Sequence, residues 1–156
     1  LRISDLFKDI EVRYPVIEHK GWDNIRLIKN EFPNIKIDKL KSFYTSLKNS
    51  KIFVSDHIGT SFLEALQFNI PSIVFINKSS YSYRKDFKYY LDKLVSYKIV
   101  FYDPEDASRF LNETYNDIDN WWSSEDIQKL RQNFCKKYAL TSDTWQYTWS
   151  KTLQSY

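Results

Sequence analysis

Lys51-Ile52-Phe53-Val54-Ser55-Asp56-His57-Ile58-Gly59-Thr60-Ser61-Phe62-Leu63-Glu64-Ala65-Leu66-Gln67-Phe68-Asn69-Ile70-Pro71-Ser72-Ile73-Val74-Phe75-Ile76-Asn77 is the stretch whose reading decides the fold. An apolar run, Ile52-Phe53-Val54, reads as a buried strand. Ser55 to Ser61 is a turn of hydroxyls, acid, histidine and one of only two glycines in 156 residues. Phe62 to Phe68 has helical character, Pro71 resets the chain, and residues 72–77 read as a second buried strand. The order strand, tight turn, helix, strand is a parallel βαβ unit. Its turn opens a helix N-terminus, where free backbone N–H groups and the helix dipole favour phosphate oxygens.

The flanks repeat the alternation. Upstream, residues 10–14 alternate and end at Pro15, and residues 35–37 read as a second short strand. Asp38 is placed to cap the next helix, whose apolar positions are Leu40, Phe43, Tyr44 and Leu47. Residues 16–34 fit a helix or a strand, with a turn at Gly21-Trp22. Downstream, a polar loop at residues 78–85 precedes a helix with Phe87, Tyr90, Leu91 and Leu94 on one face. Residues 99–101 form a strand, and Asp103-Pro104-Glu105-Asp106 starts a further helix. From Asn116 the chain reads as helical or irregular, and Trp145 and Trp149, spaced i, i+4, predict a packing face.

The expected fold is α/β: a Rossmann-like, doubly wound parallel sheet in one domain, residues 1–156, with residues 116–156 as a C-terminal helical extension. Such sheets bind ligands beyond the carboxyl ends of their strands. Arg13 and Tyr14 gather there, with Ser55, Asp56 and His57, residues 77–84, and Tyr102-Asp103.

Composition narrows the function classes. With 23 basic and 20 acidic residues, interspersed, the net charge of +3 is too weak a bias to argue for nucleic acid. Cys135 is alone, so no internal disulfide forms, which fits a reducing compartment. A single cysteine with only His19 and His57 argues against a His/Cys zinc site. No apolar run is long enough to span a membrane, and no signal-peptide pattern opens the chain. The start, without Met and inside structured-looking sequence, suggests a fragment of a longer chain.

Gly59 permits close backbone approach or positive φ, and Thr60 and Ser61 supply hydroxyls and N–H groups; plain helix capping is the alternative. Glu64, one turn further, could reach a ribose or sugar hydroxyl or simply complement the dipole. His57 suits a donor to phosphate or an acid/base role, or is simply an exposed or packed turn histidine; Arg13 suits a diphosphate clamp or is a surface arginine; Tyr81 and Arg84 are weaker loop contacts. There is no GxxxxGK[ST], GxGxxG or GxSxG motif.

Residues 55–66 followed by Asn69-Ile70-Pro71-Ser72-Ile73-Val74-Phe75 resemble the C-terminal, donor-binding domain of GT-B-fold glycosyltransferases, in particular transferases of bacterial surface-polysaccharide clusters. There a strand ends in an Asp-His/Tyr-x-Gly-Thr-Thr/Ser turn, followed by Leu-Glu and an Asn-x-Pro strand start. Val12-Arg13-Tyr14-Pro15, Gly21-Trp22, Arg84, the helix from Asp103-Pro104, Trp122 and Phe134 extend the likeness over most of the chain. Teichoic-acid glycerophosphotransferases carry Ser-Asp-Tyr-Ser-Ser at this place, whereas this chain has His57 and Gly59-Thr60. The resemblance implies a nucleotide-sugar donor whose diphosphate is held by Arg13, His57, Gly59, Thr60 and Ser61, with Glu64 and Asp56 on ribose or sugar. It implies neither a metal nor a cofactor, and a glycan or lipid-linked acceptor brought by an N-terminal domain. The catalytic base is unassigned, with His57 a candidate. The location implied is cytoplasmic, open to peripheral contact with the inner face of the membrane.

Two other functions fit the sequence less well. Nucleotide-sugar 2-epimerases carry a Ser-Asp-Ser-Gly-Gly…Glu-Glu block, but here Gly59 has no second glycine and Glu64 precedes Ala65. A receiver-like regulatory domain would use Asp56 as phospho-acceptor, yet needs acids where the first strand ends in Arg13.

Overall fold

The computed structural model describes residues 10–14, 24–39, 42–79 and 82–155. In chain order the elements are β1 (Glu11–Val12), α1 (Asn24–Glu31), β2 (Lys36–Ile37), α2 (Phe43–Lys48), β3 (Phe53–Ser55), α3 (Thr60–Gln67), β4 (Ser72–Phe75), α4 (Lys85–Ser96), β5 (Val100–Phe101) and α5 (Pro104–Thr114). A 3₁₀ turn at Tyr115–Asp117 leads into α6 (Ile118–Ser123), α7 (Glu125–Tyr138) and α8 (Trp145–Gln154).

All the strand pairing described is parallel. β3, β4 and β5 form one sheet in that order, with Val54 opposite Ile73 and Val74 opposite Val100. β1 and β2 form a separate pair, Glu11 opposite Lys36. The expected doubly wound sheet is therefore a smaller, three-plus-two arrangement among the described residues. Strands of two residues, such as β1 and β2, offer too few ladder groups to extend a sheet far.

The three-stranded sheet is covered on both faces, as its side-chain alternation requires. Val74 and Ile76 of the β4 segment join Phe62 and Leu66 of α3, Leu91 and Leu94 of α4, and Leu130 and Phe134 of α7 in the main core. Ile73 packs on the other side with Phe101, Ala107 of α5, and Phe75. Ser72 is fully buried and its hydroxyl donates to Ile70 O at 2.7 Å, so it adds no unpaired polar group to the core.

The carboxyl-terminal helices divide. α7 is part of the core: Phe134 is fully buried, with ring centroids 5.0 to 6.3 Å from those of Tyr138, Tyr90, Phe87 and Phe62. Burial also pushes the Cys135 thiol up, against the opposing pull of the adjacent Arg131. α8 contains no buried residue, and Trp145, Trp149 and Leu153 are 57%, 60% and 67% exposed. The predicted packing face at Trp145 and Trp149 thus lies on the surface of the described structure. α7 is the helix that packs against α3 and α4. No described helix is long and apolar enough to cross a membrane.

α3 ends through a local device. Asn69 takes φ 58°, a left-handed conformation that Asn tolerates better than most residues. That conformation lets Ile70 N–H donate back to Ala65 O at 3.0 Å. The Trp122 indole N–H, from α6, donates to Asn69 O (3.1 Å) and Oδ1 (2.9 Å). Arg131 on α7 donates to Leu66 O at 2.9 Å, satisfying another carbonyl at the same helix end. Asn69→Val removes the amide acceptor and puts a β-branched residue at positive φ. A loss of about 2 kcal/mol or more is expected in urea unfolding, with Asn69→Gly costing less.

Candidate functional site

β3 delivers Ser55 to the carboxyl end of the sheet, and the chain reverses within four residues into α3. Ser55 Oγ donates to His57 O (3.0 Å) and accepts from His57 N (3.3 Å), fixing the turn. Asp56 Oδ1 accepts from His57 Nδ1 at 2.7 Å, both side chains being mostly exposed. The His57 ring lies over Gly59: a Cβ there would come within 2.7 Å of Cδ2 and 2.8 Å of Nε2. Gly59 has φ −132°, an extended conformation, so its role is close approach and not positive φ.

Gly59 is the N-cap of α3, and no side chain caps the helix. Phe62 and Leu63 N–H both donate to Gly59 O, at 3.1 and 3.2 Å. Among the described residues, the N–H groups of Thr60 and Ser61 make no hydrogen bond, which leaves them available to an outside acceptor. Gly59 itself caps the helix, and neither the Thr60 nor the Ser61 hydroxyl takes part in the cap.

The remaining candidates are placed as follows. Arg13 Nη1 donates to Asp38 Oδ2 (2.8 Å) and Ser46 Oγ (3.0 Å), and its guanidinium lies 5.6 Å from the Phe43 ring centre. Asp38, whose side chain is 4% exposed, also accepts from the Ser46 hydroxyl. Asp38 does not cap α2 as expected: the helix begins at Phe43 and Ser42 caps it, accepting from Thr45 N at 3.4 Å, while Asp38 pairs with Arg13 and Ser46. Tyr14, next to Arg13, approaches the turn. Burial first and the Asp56 charge second hold its hydroxyl above the usual tyrosine range.

Glu64 is an exposed residue of α3, four residues beyond Thr60. Arg84 stands at the N-cap of α4 with its Nε 3.3 Å from Asp86 Oδ1, and is 89% exposed. Tyr81 lies outside the described residues. Asn77 and Asp103 serve local turns: Asn77 Oδ1 accepts from Ser79 N and Oγ, and Asp103 Oδ1 accepts from Glu105 N and Asp106 N. Lys78 Nζ lies 5.2 Å from the Tyr102 ring centre, linking the segments that follow β4 and β5. The Lys78–Tyr102 contact and the effect of Asp56 on Tyr14 both join segments expected at the carboxyl ends of the strands.

The structure thus brings Asp56, His57, Gly59, Thr60 and Ser61 together at one strand end, and the Asp56 charge reaches Tyr14. It assigns Arg13 to a separate network. A cavity of about 230 Å³ lies at the other end of α3, lined by Gln67, Arg131, Gln132, Cys135, Lys136 and Leu140, away from the turn.

The class these features define is an α/β protein with parallel strands and an open, polar turn at their carboxyl ends, where such folds hold ligands. The model of the LIC12162 family transferases matches residues 4–153, and the chain belongs to that transferase family. No curated protein and no solved structure matches it.

Arg13 has a structural duty that can be measured. Arg13→Ala removes the cation paired with the nearly buried Asp38 carboxylate and leaves it the Ser46 hydroxyl, and a loss of about 3 kcal/mol is expected in denaturant unfolding. Unchanged stability would free Arg13 for another role.

Proposed function

We propose that this chain is the donor-binding part of a glycosyltransferase that uses a nucleotide-activated sugar in bacterial surface-polysaccharide synthesis. The observation that carries the reading is the start of α3, with two unengaged backbone N–H groups at Thr60 and Ser61 beside the His57 ring. The N-terminal end of a helix carries roughly half a unit of positive charge, and its N–H groups are ready-made donors to phosphate oxygens.

In this reading Thr60, Ser61 and His57 hold the diphosphate at the Gly59 turn. Glu64, four residues on, stands about 6 Å further along the helix axis. That separation suits a carboxylate accepting from a ribose or sugar hydroxyl while the diphosphate rests on the first turn. Arg13 supports the end of β1 through Asp38 and Ser46. When the sugar leaves for its acceptor, negative charge grows on the diphosphate, and donors already aimed at it stabilise that charge without reorganising. The acceptor, a glycan or lipid-linked sugar, is brought by a further domain. The chemistry needs neither a metal nor a bound cofactor, and is placed in the cytoplasm, open to contact with the inner membrane face.

Membership in a transferase family supports the reading, as does the resemblance of residues 55–75 to donor-binding domains. Titration calorimetry with nucleoside diphosphates on the full-length protein tests it. Replacing Thr60 by Pro, which the first helical position tolerates, removes one of the two unengaged N–H groups and is expected to weaken the best-bound diphosphate about tenfold. Wild-type affinity in that variant, or no binding by the wild type, would overturn the proposal.

A further inference from the structure

The pairing of Asp56 with His57 bears on what each residue does, and it rests on the diphosphate reading of the neighbouring helix start. A carboxylate only accepts, so at 2.7 Å the Nδ1 of His57 carries the hydrogen between them. The other nitrogen, Nε2, then points away from Asp56 and lies over Gly59, at the beginning of α3. Three constraints hold the ring there. Ser55 Oγ bonds the His57 backbone on both its N–H and its carbonyl. Asp56 holds Nδ1. Gly59 lacks the Cβ that would push the ring aside.

We propose that Asp56 is a positioning residue for His57 and not a ligand of ribose or sugar: it fixes the imidazole so that Nε2 meets the phosphate at the start of α3. When Nε2 carries a hydrogen it can donate to a phosphate oxygen while Nδ1 donates to Asp56. Its place also argues against His57 as the base that deprotonates an acceptor hydroxyl. In a direct displacement that base stands on the face of the sugar opposite the leaving group, whereas Nε2 lies on the leaving-group side. Among the described residues, Tyr14 senses the Asp56 charge from beyond the end of β1. Ser55, Thr60 and Ser61 around the turn carry no charge.

Asp56→Asn, His57→Gln and the double variant of the full-length protein provide the test, with inorganic pyrophosphate as the probe. Nitrogen NMR of histidine-labelled protein is expected to place the hydrogen of neutral His57 on Nδ1 in the wild type and to move it towards Nε2 in Asp56→Asn. Each single variant is expected to lose about tenfold in pyrophosphate affinity, and the double variant no more than His57→Gln alone. An unchanged tautomer in Asp56→Asn, or losses that multiply in the double variant, would overturn the positioning role while leaving the diphosphate site in place. A wild type that binds neither pyrophosphate nor nucleoside diphosphates would overturn the diphosphate reading, and this use of the pair with it.

Discussion

The burial of Phe62, Ala65 and Leu66 between the sheet and α7 determines where α3 begins. Each of the two larger side chains contributes about 2 kcal/mol by leaving water, enough to hold an eight-residue helix that would not persist alone. Both ends of that helix are then specified separately. At its carboxyl end, Asn69, Trp122 and Arg131 satisfy the backbone groups left over by the last turn. At its amino end Gly59 caps without a side chain, so Thr60 and Ser61 keep their N–H groups. One end is closed by the protein and the other is left open, at the carboxyl end of β3.

A second network governs what surrounds the open end. Arg13, Asp38 and Ser46 tie the ends of β1 and β2 to α2. Phe43 of α2 takes the Arg13 guanidinium on its ring and meets the Phe53 ring of β3 at 5.8 Å. This chain of contacts joins the two-stranded and three-stranded sheets without a shared ladder. Its outcome is electrostatic as well as mechanical, because Tyr14 is brought within reach of the Asp56 charge. The core on the α4 side depends on aromatic edges meeting faces around Phe134, an arrangement that suits a chain so rich in Phe and Tyr.

Local patterns made much of this legible. The apolar runs at 52–54 and 72–76, the helix between them and the proline start at Pro104 are each specified within a few residues, so the βαβ order could be read directly. What escaped was long-range. Asp38 has the sequence position of a cap, but Arg13, 25 residues away, takes its carboxylate. Trp145 and Trp149 have the spacing of a buried face, yet spacing cannot tell whether another element lies against it, and α8 has no buried residue. Gly59 was readable as a special position, although only the His57 ring above it distinguishes close approach from positive φ. Asn69 stood out through resemblance alone, and its left-handed conformation and its bonds to Trp122 supply a structural reason for an Asn there.

Donor binding at the amino end of α3 is the central claim, and backbone-amide mapping by NMR, with a nucleoside diphosphate added to the full-length protein, tests it most directly. The account predicts that the largest shifts fall on Gly59, Thr60 and Ser61, with His57 next. Shifts concentrated instead at the opposite end of the helix, around Gln67, Arg131 and Lys136, would contradict it.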